Sequence, residues 1–180
     1  MASTFEFIDD YTAGSDVGAI DFSSFTQAYE HLEIRVAARS TYTGGVSDDC
    51  RISFNRSGTL GTWDQQMVMG QYSTDSVAEI FSTYGQVWMP RLAASSGGVA
   101  AGQRGVVIIH VHDYANTSKR ASLRWYGGTV EAAQATQSKY ISFGGAVWSE
   151  TTAISEIRIQ SGSASLKAGS TVAIYGIKSS

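Results

Sequence analysis

In the segment HLEIRVAARS, Leu32, Ile34, Val36 and Ala38 alternate with Glu33, Arg35, Ala37 and Arg39. Successive side chains of a β-strand point to opposite faces, so a period of two describes a sheet with one apolar and one wet face. Stretches rich in β-branched and aromatic residues recur along the chain, bounded by Gly, Ser, Asn and Asp. They fall at Thr4–Ile8, Gly18–Phe22, Arg51–Asn55, Gln66–Gly70, Gln86–Met89, Val106–His112, Ser122–Tyr126, Tyr140–Trp148, Ile154–Gln160 and Thr171–Ile177. Helical spacing survives only at Ser76–Thr83 and Val130–Gln137, each about two turns and too short to form without tertiary support. Both are predicted as helical connections. The Ala/Ser/Gly-rich run Leu92–Gly105 is predicted as a mobile surface loop.

About ten or eleven strands in 180 residues, with no internal repeat, predict an all-β chain. The expected architecture is a single-domain two-sheet β-sandwich over residues 1–180, jelly-roll-like. No apolar run approaches the roughly 18 residues of a membrane-spanning helix, so no membrane partner is expected. The N-terminal MASTFEFIDDYTAG lacks the basic start and apolar stretch of a secretory signal, which predicts a protein made in a cytoplasm.

One cysteine, Cys50, excludes an internal disulfide or a cysteine-built zinc site, and within CRISF it reads as a small buried hydrophobe. Charged residues are 16% of the chain, while Ser and Thr together number 40. Against the roughly 25% charge of ordinary domains, that surface is neutral and hydroxyl-rich. With a net charge of −3 and Lys119-Arg120 as the sole basic pair, no nucleic-acid partner is expected.

The residues that carry chemistry are sparse. His110 and His112 share one strand face and open a cupin-type metal site in spacing, but the Glu that such a site takes next is replaced by Asp113-Tyr114-Ala115-Asn116-Thr117, and His31 is the only other histidine. Core placement of Val107, Ile109 and Val111, with both imidazoles on the wetter face, is the simpler reading. Asp9-Asp10 and Asp48-Asp49 lack the spaced ligand series of a calcium loop and are predicted as solvated turns. No G-x-S-x-G elbow is present, and Glu79 and Glu150 have no acidic sequence neighbour of the kind a glycosidase pair would suggest. Asn55-Arg56-Ser57 and Asn116-Thr117-Ser118 are predicted as turns, and the Gly pairs at 44-45, 97-98, 127-128 and 144-145 as turn or bulge glycines. Trp63, Trp88, Trp125 and Trp148 could stack on sugar rings, although core packing accounts for most of them. Trp125 and Tyr126 are adjacent, so one of the two must face away from the core. No catalytic, cofactor-binding or metal residue is assigned.

Laid out this way, the chain resembles, nearly end to end, a family of bacteriophage virion structural proteins described as capsid decoration, cement or fibre proteins. The likeness is carried by STFEFIDDYTAG, FSSFTQAYEHLEIRVAARS, DDCRISFN, HDYANTSKR and the closing GAVWSETTAISEIRIQSGSASLKAGSTVAIYGIK. The chain departs from that pattern at Phe25-Thr26-Gln27, where relatives often place Pro, and at Trp63, where Tyr is usual. The resemblance implies a subunit without catalytic residues or cofactors, and a jelly-roll homotrimer as its expected assembly. Its expected partners are the major capsid protein shell or other virion subunits, and its expected location is the virion, assembled in the bacterial host cytoplasm. Two other readings stand beside it. A tail fibre, receptor- or glycan-binding module predicts exposed Trp or Tyr clustered at one end, with Trp63 and Trp88 as the discriminating residues. A cupin-like metal enzyme predicts inward His110 and His112 with His31 nearby.

Overall fold

A computed structural model describes residues 5–55, 61–71, 74–96, 99–129 and 140–178. The described residues form twelve strands in two antiparallel sheets, as a single-domain β-sandwich. The strands are β1 (Phe5–Thr12), β2 (Ala19–Ser23), β3 (His31–Ala38), β4 (Ser47–Phe54), β5 (Thr62–Gln71), β6 (Thr74–Tyr84), β7 (Val87–Ala93), β8 (Gly105–His112), β9 (Ser122–Thr129), β10 (Tyr140–Trp148), β11 (Glu156–Ser161) and β12 (Thr171–Ile177). The larger sheet has eight strands in the order β1-β12-β3-β8-β9-β10-β5-β6, and the smaller has four in the order β2-β11-β4-β7. The chain crosses repeatedly between the sheets, the jelly-roll-like pattern expected, and the first and last strands pair, Phe7 opposite Tyr175.

The alternation read in HLEIRVAARS is realised in β3. Leu32, Ile34, Val36 and Ala38 are fully buried, and Arg35 is exposed on the other face. Val107, Ile109 and Val111 of β8, Leu123 and Trp125 of β9, and Val172 and Ile174 of β12 extend the same inner face. Ile20, Phe22, Ile52, Val87, Met89, Ile157 and Ile159 of the smaller sheet meet them. Each such side chain contributes on the order of 1.5–3 kcal/mol by leaving water. Trp63 and Trp148 stack at 5.9 Å with Phe54 set edge-on to both, closing one end of the core. Gln65 joins the layers across this interior, accepting from Trp88 N–H at 3.1 Å and donating to the Trp88 carbonyl at 3.3 Å.

Two predicted elements differ. The segment expected as a helix at Ser76–Thr83 lies in β6, paired with β5 in unshifted register from Thr62↔Tyr84 to Met69↔Val77. A two-turn helix has too few internal hydrogen bonds to offset its nucleation cost, whereas β5 supplies a ready ladder. The run expected as a loop at Leu92–Gly105 begins two residues late, because Leu92 and Ala93 complete β7. It is also anchored: the buried Arg39 side chain donates to the carbonyls of Ala100 and Val99. The helix expected at Val130–Gln137 lies outside the described residues.

Candidate functional site

The two outer faces of the sandwich differ in chemistry. That of the smaller sheet is ion-paired: Arg158 Nη2 meets Asp21 Oδ2 at 2.7 Å, Arg91 lies 2.9 Å from Asp49, and Arg51 lies 3.7 Å from Asp49 and 4.7 Å over the Trp88 ring. The outer face of the larger sheet carries an apolar patch at its centre. On β10, Phe143 stands between Tyr126 of β9 and Val68 of β5, while Ile141 stands between Gly128 and Gly70. Val106 and Ile108 of β8 continue the same two rows opposite Gly128 and Tyr126. Ile141 is 69% exposed, Phe143 59%, Tyr126 51% and Val106 50%.

This patch arises because β10 inverts the usual size pattern. Its inward positions Ser142, Gly144 and Ala146 are small, and its large residues Ile141, Phe143 and Val147 point outward. The reason lies on the neighbouring strand. A Cβ at Gly144 would come within 2.5 Å of both the Trp125 ring and the Gln66 carbonyl, so the Trp125 indole fills the space that a β10 side chain would otherwise occupy. Trp125 therefore faces in and Tyr126 out, as their adjacency requires.

Beside the patch, the three histidines meet on the same outer face. His110 Nδ1 is 3.8 Å from Glu33, which also accepts from Arg35 at 2.7 Å. The His31 and His112 rings are 5.0 Å apart, and Arg124 Nε donates to His112 Nε2 at 3.3 Å. Burial first, and then electrostatic repulsion from His31 and Arg124, which disfavours a second charge beside them, hold the His112 pKa below that of a free imidazole. Arg124, His112, Ser122, Asp64, Gln66 and Val147 line a concavity of about 780 Å³ whose floor at Gly145 carries no side chain.

His110 and His112 thus point away from the core, opposite to the inward orientation that a cupin-type site requires. A separate trio, Glu30, His31 and Asp113, brings its donor atoms within 4.8 Å of one another. Its chemistry does not suit a metal. His31 Nδ1 accepts the Asp113 N–H at 3.1 Å, which assigns the ring proton of neutral His31 to Nε2, the atom facing Glu30. A metal at Nε2 would displace that proton and leave Nδ1 to lose its hydrogen bond. Asp113 adopts φ 55° at the end of β8, and its carboxylate lies 3.9 Å from Lys119, as befits a structured turn. Asn116 continues that turn by accepting from Ser118 and Lys119 N–H.

The remaining sequence candidates are placed as follows. Cys50 is fully buried, and burial pushes its thiol pKa up to about 12, so it is not a nucleophile. Asp9 and Asp10 lie on the edge strand β1, not in a turn. Asp48 and Asp49 lie on β4: Asp49 is in the ion pairs above, and Asp48 is buried in a hydroxyl cluster. Its Oδ2 accepts from Ser40 at 2.7 Å, from the Ser161 hydroxyl and from Ser163 N–H. At Asp9-Asp10 the turn expectation fails while both residues are exposed, and at Asp48-Asp49 both parts fail at Asp48, which takes an inner strand position where hydroxyls replace water. Gly127-Gly128 and Gly144-Gly145 lie within strands rather than turns, and 97-98 lies outside the described residues. Glu150 accepts from Ser149, and Glu79 lies on β6. Asn55 is a turn residue at φ 45° whose side chain is buried. Trp63, Trp125 and Trp148 are buried, and Trp88 is half-buried under Arg51.

Sequence reasoning missed the apolar patch and Arg124. The available signal was the paired small residues of SFGGA flanked by Ile141, Phe143 and Val147, which become outward-facing once Trp125 is placed inside.

No family model matches the chain, and no curated protein matches it. Solved structures that align with it include a leech intramolecular trans-sialidase, at 12% identity and TM-score 0.36 over 97% of this chain and 27% of that one. Others are the Ruminococcus gnavus IT-sialidase CBM40, at 9% and 0.31 over 97% and 93%, and scytalido-glutamic peptidase, at 12% and 0.28 over 92% and 66%. The chain spans about a quarter of the leech enzyme's length. Likenesses at this level carry no functional argument.

Proposed function

We propose that the protein is a non-catalytic structural subunit of a bacteriophage virion, a capsid decoration or cement protein that binds the major capsid protein shell through the outer face of its eight-stranded sheet. The observation that carries this reading is the contiguous exposed patch of Val106, Tyr126, Ile141 and Phe143. Large exposed apolar clusters are uncommon on isolated soluble domains and mark surfaces that another protein covers. The composition of the patch separates this reading from a glycan platform. Tyr126 is its one residue with a polar group, Ile141, Val106 and Phe143 offer no polar handle to a sugar, and none of the four tryptophans reaches the surface as a free stacking face. The resemblance of several sequence segments to virion structural proteins suggests the biological setting, and a subunit that works by association over many symmetric copies needs no catalytic centre. A homotrimer seated on the shell is the proposed assembly.

The test is to add the purified protein to capsid shells that lack it. Stoichiometric binding that raises the shells' resistance to heat supports the proposal. A protein that ignores shells and binds host cell surfaces or saccharides overturns it.

A further inference from the structure

We propose that the partner presents a carboxylate to Arg124: an acidic side chain, flanked by apolar ones, that enters the concavity over Gly145. This rests on the docking reading above and adds the partner's chemistry.

Two guanidinium groups rise from the outer face of the larger sheet. Arg35 is satisfied within the chain, since its Nε donates to Glu33 at 2.7 Å and its charge lies 4.7 Å over Tyr175 and 5.5 Å over Phe5. Arg124 has no acidic partner among the described residues. Among the described residues its one hydrogen bond runs from Nε to the acceptor His112 Nε2, and the side chain is exposed. Its cross-strand neighbours are His110 on one side and Gly145 on the other, with Gln66 beyond. Tyr126 and Phe143 lie two residues along β9 and β10, about 7 Å away on the same face.

Covering Phe143 and Tyr126 therefore strips water from Arg124 as well. A guanidinium desolvated without a counter-charge opposes association strongly, and a carboxylate matched to its fork converts that penalty into a paired, charge-assisted contact. The missing side chain at Gly145 leaves room for such a group beside the fork. An arginine encircled by aromatic and aliphatic contacts that exclude water is also the arrangement in which interface energy concentrates. Asp64 lines the same concavity, but from β5, two strands away and one row over, opposite Val147.

The experiment measures affinity for shells lacking the protein, comparing the wild type with Arg124→Gln, Phe143→Ser and Asp64→Asn, each checked for an unchanged melting temperature. Arg124→Gln is expected to weaken binding about 10- to 100-fold and to flatten its salt dependence. If Arg124→Gln binds like the wild type while Phe143→Ser does not, docking stands and the acidic partner is wrong. If Asp64→Asn weakens binding as much as Arg124→Gln and the two are not additive, Arg124 is neutralised from within the chain and the proposal fails. A second measurement needs no shells: the Arg124 Nε–H resonance is followed by NMR against a capped Ile-Glu-Phe peptide, its Gln counterpart and glucuronate. A shift with the Glu peptide alone supports the proposal. A shift with glucuronate alone assigns the site to acidic saccharides, and a shift with none of them removes the site.

Discussion

Asp48 shows how one polar residue decides local structure. Burial alone would raise its pKa, but the hydroxyls of Ser161 and Ser40 and the Ser163 N–H together outweigh it, so the folded value lies below the ordinary 3.8. A depressed carboxylate pKa contributes stability that is complete above the unfolded value and is lost as pH falls through the folded one. Melting temperature is therefore expected to fall as pH drops below about 4, with Asp48 among its causes. Asp48→Asn is expected to cost about 1–3 kcal/mol at neutral pH by turning a donor toward donors, and to flatten that acid limb in thermal melts. A variant whose acid limb is as steep as the wild type's would show that other groups govern it. The sequence placed Asp48 in a solvated turn because adjacent acids resemble a loop, and two of the groups that satisfy it, at positions 161 and 163, lie far off along the chain. By contrast, the fates of Trp125 and Tyr126 were legible, since adjacency in a strand forces one in and one out.

At the scale of the element, most strands were legible because their alternation coincides with burial, as in β3 and β8. β6 was not. Val77, Ile80 and Phe81 carry a helical spacing, and only the presence of β5, itself set by tertiary pairing, decides for a strand. β10 was legible as a strand but not in its facing, because the reason its large residues point outward is the Trp125 indole on the next strand. At Gly144 the β10 backbone lies against the Trp125 ring. Gly144→Ala places a methyl 2.5 Å from the Gln66 carbonyl oxygen, which is backbone and yields little, and from the Trp125 ring. It is expected to destabilise by about 1–3 kcal/mol, read as a lower denaturation midpoint with a red-shifted tryptophan emission. Gly70, whose nearest neighbour would lie 3.9 Å away, serves as the control: Gly70→Ala should change the midpoint by less than about 0.5 kcal/mol. Equal effects at the two glycines would show that Trp125 does not set the facing of β10.

For the whole molecule, the informative contrast is between the two outer faces. The smaller sheet presents ion pairs that water solvates well, and the larger presents Ile141, Phe143, Tyr126 and Val106 to the same water. If those residues contributed to folding, polar replacements would lower stability. They are exposed, so they lose little contact with the core when changed, and their removal relieves unfavourable hydration. The double variant Ile141→Ser, Phe143→Ser is accordingly expected to keep the wild-type melting temperature, to stay soluble at higher concentration, and to lose self-association or attachment to the shell. That separation is what a docking face predicts, because the energy of the patch is realised between molecules rather than within one. A double variant that melts well below the wild type would place these side chains in the fold's own packing. One that retains full association at unchanged stability would move the contact surface to another face of the sandwich.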